Sequence, residues 1–510
     1  MAQPPELSEE LEEQSSQLDA GDRIAIQNLG PGNAVAAGRG AQATVRNFIV
    51  NIPKPIAFAI VAIGLALVGM LGYFLYYSLQ EKRPQTMTGE FNVAIAEFDV
   101  VDQNGEVSKS DDGKALAEFL FQRLDANFAE LDKKTVRYEI WSPAYTGRVE
   151  GKTPEERARA AEDLARRIGA HIVIYGVISQ GDSYPQFGPE FYVSYKNFEE
   201  AQEITGQHEL GKPLLISLPF DKTQFQAVQN PALAARVKAL GLITIGLAYY
   251  SIDKYENALD YFKRAETIEG WVPSAGKEIV YLLLGNSNIR LASRDKKIGY
   301  LSSAHDAYAT ALMIDPAYAR AKLGLGSVIY LQALGDPDNP SLTTTDLDGL
   351  AAAEAILQDV LNEKDLPKSA NIQTKINFRL GQIYFVRAQL LGGDWEQQSR
   401  SKFETVIQDY EAGNIDVADP AGQSHARIGL IELLGGKPDL AIMHIKAATS
   451  LVTPFYQAHY YSMLGEIYAS TGRIDQAIEA YTHAVQIAEF YGDEASVKKY
   501  TEALSKIRRE

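Results

Sequence analysis

The residues from which an active or metal site would have to be built are few in this chain of 510 residues: seven histidines, no cysteine and a scatter of adjacent carboxylates. Without cysteine there is no disulfide, no thiol nucleophile and no thiolate ligand. His208–Glu209 opens the pattern of a zinc helix but lacks the second histidine that would face the same ion. The run Gly435, Gly436, Lys437 resembles a phosphate loop until Pro438, which stands where a hydroxyl should be. It reads instead as a turn between two helices. Gly38–Arg39–Gly40 has neither the preceding strand nor the following helix that a phosphate cradle needs. There is no Gly-x-Ser-x-Gly elbow, and Glu199–Glu200 reads as a solvated face rather than an acid–base pair. His171 opens an apolar run and is expected to be structural. The chain is therefore expected not to be an enzyme and to need no metal or cofactor. Its formal net charge of −17 argues against a nucleic-acid partner, since phosphates need a basic footprint.

The chemistry that remains is contact, and a repeated signature must position it. Gly246, Ala258, Phe262 and Ala265 set a spacing of twelve, four and three residues, which returns at Gly429, Ala441, Ile445, Ala448 and at Gly465, Ala477, Tyr481, Ala484. Small residues at those places let two antiparallel helices approach closely, and the bulky one fills the gap. One such hairpin cannot bury its apolar face alone, so units must stack. Three further units follow once insertions are allowed. Gly285 pairs with Ala304, Tyr308 and Ala311, Gly326 with Ala353, Leu357 and Val360, and Gly381 with Ser399, Phe403 and Val406. Pro316 closes the second unit, and residues 494–508 read as a helix with Val497, Tyr500, Leu504 and Ile507 on one face, which would cap the open end.

These units resemble tetratricopeptide repeats. The first-helix motif is carried by Ile245–Gly246–x–x–Tyr249, by Leu380–Gly381–x–x–Tyr384 and by Leu464–Gly465–x–x–Tyr468. The resemblance implies about six repeats over residues 231–490 and a capping helix over 491–510. It implies a concave groove lined by first-helix positions flanking the Leu-Gly pair. Carried over unit by unit, the partner-binding residues are Asn286, Arg290, Arg320, Tyr330, Lys375, Gln382 and Phe385, with His459 and Glu466 in the last unit. The lysine–asparagine clamp that such repeats use on C-terminal carboxylates is not reproduced: only Asn286 fits, and Leu282 stands at its partner position. A groove with Arg290, Arg320, Lys375 and two aromatics suits an extended acidic-hydrophobic peptide.

Upstream, residues 56–79 carry no charge and would span roughly 36 Å as a helix at about 1.5 Å per residue, enough for the ~30 Å hydrocarbon core of a bilayer. Tyr73, Phe74, Tyr76 and Tyr77 crowd its far end, where aromatic rings prefer the interface. A cleaved signal peptide would be shorter and nearer the start. Residues 53–80 are thus expected to be a transmembrane helix, touching lipid over 56–79. Arg39, Arg46 and Lys54 on its N-terminal side lean towards a cytoplasmic N-terminus in the cell membrane, with the C-terminal domains outside the cytoplasm.

Residues 1–52 divide into an acidic tail over 6–22, expected to be disordered, and a glycine-rich strand-and-turn segment. Residues 90–180 alternate strand and helix patterns, over 91–100, 112–132, 136–141, 153–168 and 171–179, which imply a small α/β domain. The run from Leu164 to Gly176 resembles the N-terminal domain of TolB-like and FlgO-like envelope proteins. Residues 181–230 read as a hairpin and connector. The expected architecture is an α-solenoid of helical hairpins on a small α/β domain behind one membrane helix. The expected function is a membrane-anchored scaffold for protein–protein interaction; the alternative is a small-molecule sensing module, with a ligand on the α/β domain and the repeats relaying it to partners.

Overall fold

The computed structural model describes residues 86–509, apart from 130–134, 181–183, 196–197, 199–203, 221–229, 296, 336–341, 364–365 and 367–369. The tail, the glycine-rich segment and the apolar run expected over residues 1–80 lie outside the described residues.

The strand and helix patterns after residue 90 fold as a mixed sheet flanked by helices. Strands β1 (Phe91–Ile95) and β2 (Asp99–Val101) pair in succession, both parallel, along one edge of β5 (Ile172–Gln180). β3 (Val107–Ser108) lies antiparallel to β2, and β4 (Tyr138–Trp141) lies parallel to β1. Helix α1 (Asp111–Phe128) is capped by the Ser110 hydroxyl, which accepts from the Asp112 amide at 3.1 Å. A short α2 (Pro143–Thr146) follows β4. Helix α3 (Pro154–Ile168) starts at a proline behind the Thr153 cap and stops at Gly169, whose φ of 74° closes the last turn in the left-handed region.

Residues 181–230, expected to form a hairpin and connector, contribute to the same sheet. β6 (Pro185–Val193) runs antiparallel to the full length of β5, and β7 (Gly206–Glu209) and β8 (Leu214–Leu215) both pair with β6. Their patterns were hard to see because Gly and Pro interrupt them.

From Pro231 the chain is helical: α4 (Pro231–Tyr250), α5 (Tyr255–Glu266), α6 (Glu278–Asp295), α7 (Gly299–Ile314), α8 (Ala319–Ala333), α9 (Leu347–Leu361), α10 (Ile372–Leu391), α11 (Trp395–Glu411), α12 (Ala418–Leu434), α13 (Pro438–Leu451), α14 (Pro454–Ser470), α15 (Ile474–Phe490) and α16 (Glu494–Ile507). Successive pairs form six hairpins, and α16 covers the end with Tyr500, Leu504 and Ile507 buried. The signature explains the packing in every unit. A Cβ added to Gly246, Gly285, Gly326, Gly381, Gly429 or Gly465 would fall 2.4 to 2.9 Å from Phe262, Tyr308, Leu357, Phe403, Ile445 or Tyr481, its own unit's bulky residue. Each glycine is therefore the seat of its partner's side chain. Tyr308 also lies against Gly324 of the next unit, with 2.4 Å to a Cβ built there, so it locks two hairpins together.

Among the described residues α4 is long and apolar enough to cross a membrane, with a mean hydropathy of 1.5, but 78% of its apolar window is buried in the protein. It packs between α1 and α5 as a core helix. Residues from Pro84 onward form one compact unit. A single hydrophobic core runs from Phe91 on β1, through α1 and the sheet, to Val328 on α8. The α/β layer and the first hairpins are thus fused rather than merely tethered.

Candidate functional site

The first helices of all six hairpins converge on one cavity of about 200 Å³. Tyr250 comes from α4, Asn286 and Arg290 from α6, Ser327 from α8, Lys375, Arg379 and Gln382 from α10, Asp419 and Gln423 from α12, and Tyr456 from α14. Among the described residues no second helix contributes. The residues reach it because first helices face the inside of the superhelix, and its curvature brings helices far apart in sequence to one point.

Among the described residues that line this space are the cations Arg290, Lys375 and Arg379 and the carboxylate of Asp419. Arg290 Nε donates to the Tyr250 hydroxyl at 3.1 Å, and Arg379 donates to Ser327 Oγ at 3.1 Å and Gln382 Oε1 at 2.6 Å. The Arg379 guanidinium also stacks 5.2 Å from the Tyr330 ring. Asp419 is buried and accepts from Gln423 Nε2 at 2.6 Å. Asn286 is 3% exposed; its Oδ1 accepts from the Tyr308 hydroxyl, while its Nδ2 has no partner among the described residues. The side chain that plugs the second hairpin therefore also orients an amide donor at the cavity wall.

Beside the cavity, the inner face holds the chain's own α/β layer. The Arg320 guanidinium donates to the Thr205 carbonyl at 2.6 Å and the Gln207 carbonyl at 2.8 Å, and Lys375 Nζ donates to Thr205 Oγ1 at 3.1 Å. Phe198 stacks on Tyr250 with ring centroids 6.2 Å apart. Arg236 on α4 donates to the Leu210 carbonyl just past β7 and to the Ala275 carbonyl in the connection between α5 and α6. His208, fully enclosed, lies 5.0 Å from the Phe191 ring and donates from Nε2 to the Ile204 carbonyl at 2.7 Å. Burial, then the nearby Arg320 charge, holds its imidazole well below the ordinary histidine range, so it is neutral.

A family model for the tetratricopeptide repeat matches residues 241–270 and 458–491, within the first and last hairpins. The chain carries tetratricopeptide repeats. Among solved structures, the tetratricopeptide half is similar to the APC/C hetero-tetramer Cut9–Hcn1, at 18% identity and a TM-score of 0.38, covering 55% of this chain and 44% of that one. It is similar to PilF of Pseudomonas aeruginosa, at 15% identity and a TM-score of 0.34, covering 54% of this chain and 99% of that one. It is similar to PilW, a type IV pilus biogenesis factor, at 14% identity and a TM-score of 0.34, covering 51% and 97%. No curated protein matches the chain.

Of the residues that the tetratricopeptide resemblance marks for the groove, the structure brings Asn286, Arg290, Lys375 and Gln382 together at the cavity. Arg320 is buried and engaged with the Thr205 and Gln207 carbonyls, so it faces β7 rather than open groove. Tyr330 is buried beneath Arg379. Phe385 is half-buried further along, with Arg427 5.4 Å from its ring, and His459 and Glu466 are exposed on α14. The carry-over missed Arg379, Asp419 and Gln423, because nothing in one unit's sequence tells which turn of a first helix meets the helices of distant units. It also missed a histidine pair: His425 and His444 face each other across the fifth hairpin with their Nδ1 atoms 3.0 Å apart, and burial pushes His425 down to about 4. Residues 435–437 form the turn between α12 and α13, and Pro438 opens α13. His171 is structural, its Nδ1 accepting from the Asn92 amide at 2.9 Å.

Proposed function

We propose that the chain is a membrane-anchored scaffold for protein–protein interaction, in which the solenoid holds its own α/β layer with the first half of its inner face and offers the second half to a partner. The observation that carries this is the Arg320 grip: a guanidinium donating to main-chain carbonyls two residues apart is how such a face takes an extended chain. Beyond it, Phe385 under Arg427 and the exposed His459 lie on first helices with no element of the α/β layer described against them. An acidic-hydrophobic segment suits that stretch, since it supplies a carboxylate for Arg427 and an apolar contact for Phe385. The apolar run at 56–79 supports the anchor, and the charge asymmetry around it supports an orientation with the repeats outside the cytoplasm.

Photo-crosslinking residues introduced one at a time test the surface. Crosslinks to a protein partner are expected from Phe385 and His459, and not from Leu440 or Met443 on the outward face of α13. Equal yields from both sets would sink the proposal. Protease protection in sealed vesicles tests the anchor: repeats degraded from the cytoplasmic side would reverse the orientation. A second reading, small-molecule sensing, draws support from the cavity of about 200 Å³ between the first helices, where a ligand would lie among the repeats instead of on the α/β layer.

A further inference from the structure

We propose that an aromatic depression beside β4 docks on the headgroup layer of a phospholipid bilayer. The depression is open and holds about 570 Å³, and Phe121, Ile140, Trp141 and Tyr145 supply its apolar wall. Phe121 and Ile140 pack from beneath on the large core that begins at Phe91, and Trp141 on the smaller core under α3, so this wall is held firmly. Tyr145 is 75% exposed, an unusual place for a large ring. The carboxylate of Glu139, also in the wall, accepts from the Thr88 and Gly89 amides at 2.6 and 3.2 Å and from Trp141 Nε1 at 2.7 Å. Its charge is therefore engaged within the wall. β4 is also the last strand on its side of the sheet and, among the described residues, pairs with β1 alone. A sheet edge of this kind needs cover.

Chain length argues for lipid as the occupant. The uncharged run ends at Leu79, and Thr86 already belongs to the wall of the depression. The seven residues from Gln80 to Thr86 reach at most about 25 Å when fully extended. With the run in a bilayer, the depression is held within that distance of lipid whatever path the intervening chain takes. A tether this short gives the patch an effective concentration at the surface in roughly the millimolar range, so a modest preference for the interface is enough to keep it there. Tryptophan and tyrosine have that preference, because their rings sit among the acyl ends while their polar atoms stay hydrated. A soluble partner would have to displace a surface that is always present. The inference rests on the membrane-anchor reading, but not on its orientation, since both faces of a bilayer offer the same layer.

The test uses the full chain in phosphatidylcholine vesicles with and without brominated acyl chains. Because the chain has no cysteine, Tyr145→Cys and, as the control on α13, Met443→Cys each create a single site for a fluorescent label. Both side chains are exposed, so neither substitution disturbs the core. Quenching by brominated lipid is expected to be several-fold stronger at 145 than at 443. Inserting about ten glycine and serine residues between Arg83 and Pro84 separates attraction from mere nearness. The strong quenching at 145 should survive in the lengthened chain, and its fall to the level of 443 overturns the proposal. Should the chain fail to float with the vesicles, the anchor reading and this proposal fall together. Should it float while 145 is quenched no more than 443, the anchor stands and the proposal alone falls. Energy transfer between copies labelled at 145, without lipid quenching, assigns the patch to self-association and overturns it as well.

Discussion

Arg320 of the third hairpin donates to the main-chain carbonyl of Thr205 at 2.6 Å, across 115 residues of sequence. A residue expected to meet a partner in the groove thus meets the chain's own α/β layer. Its charge is buried, and it donates to two main-chain carbonyls, those of Thr205 and Gln207. The inner face of the repeats is therefore already an interface before any second protein arrives.

Arg320→Ala should lower the unfolding free energy by roughly 2–4 kcal/mol, because two charge-assisted bonds to main-chain carbonyls, one of them fully buried, are lost. Arg320→Lys should recover less than half of this, since one ammonium cannot serve both carbonyls as the fork does. Chemical denaturation checks both. A loss under ~0.5 kcal/mol for the alanine variant would show that the grip is incidental.

The glycine seats should tolerate nothing larger. Gly381→Ala should cost about 1–3 kcal/mol by driving a methyl into the Phe403 ring, 2.7 Å away, and Phe403→Leu in the same chain should return part of that loss. Gly299→Ala, whose new methyl meets nothing within 4 Å, is the control and should change stability little. Additive losses in the double variant would contradict the seat.

The pH dependence of stability should contain two opposed contributions. His208 is neutral in the fold, with its folded value below the ordinary 6.5. Its unfolded form therefore binds the proton first, and stability is lost as pH falls below about 6.5. His208→Gln should flatten that acid limb. An unchanged limb in the variant would exclude His208 as its cause.

Glu162 on α3 runs the other way. Burial, and the neighbouring Asp416 between α11 and α12, push it from the ordinary 4.5 up to about 7. The folded state here binds the proton more tightly than the unfolded one, so this contribution is present at low pH and is lost as pH rises from about 4.5 through about 7. Glu162→Gln should make the variant relatively more stable than the native chain at pH 8 than at pH 5. Equal differences at the two values would show that the Glu162–Asp416 pair holds no shared proton.

The sequence by itself determined the hairpins. The small residue and its bulky partner lie within one helical pair, under thirty-five residues apart, so a fixed spacing reports a physical contact and survives the insertions at residues 335–345 and 392–394. The strands β1, β4 and β5 and the helices α1 and α3 were legible for the same reason, since their periodicity and caps are local. β6, β7 and β8 were not, because their pairing depends on partners that the short, glycine- and proline-broken segments do not announce. Only the tertiary structure decided what the groove residues do. The small rotation at each repeat accumulates over six units until residues as distant as Tyr250 and Tyr456 meet at one cavity, and no single unit's sequence records that sum. The same curvature brought Thr205 to Arg320 and Lys375 and set Arg290, Lys375 and Arg379 along the wall of one cavity.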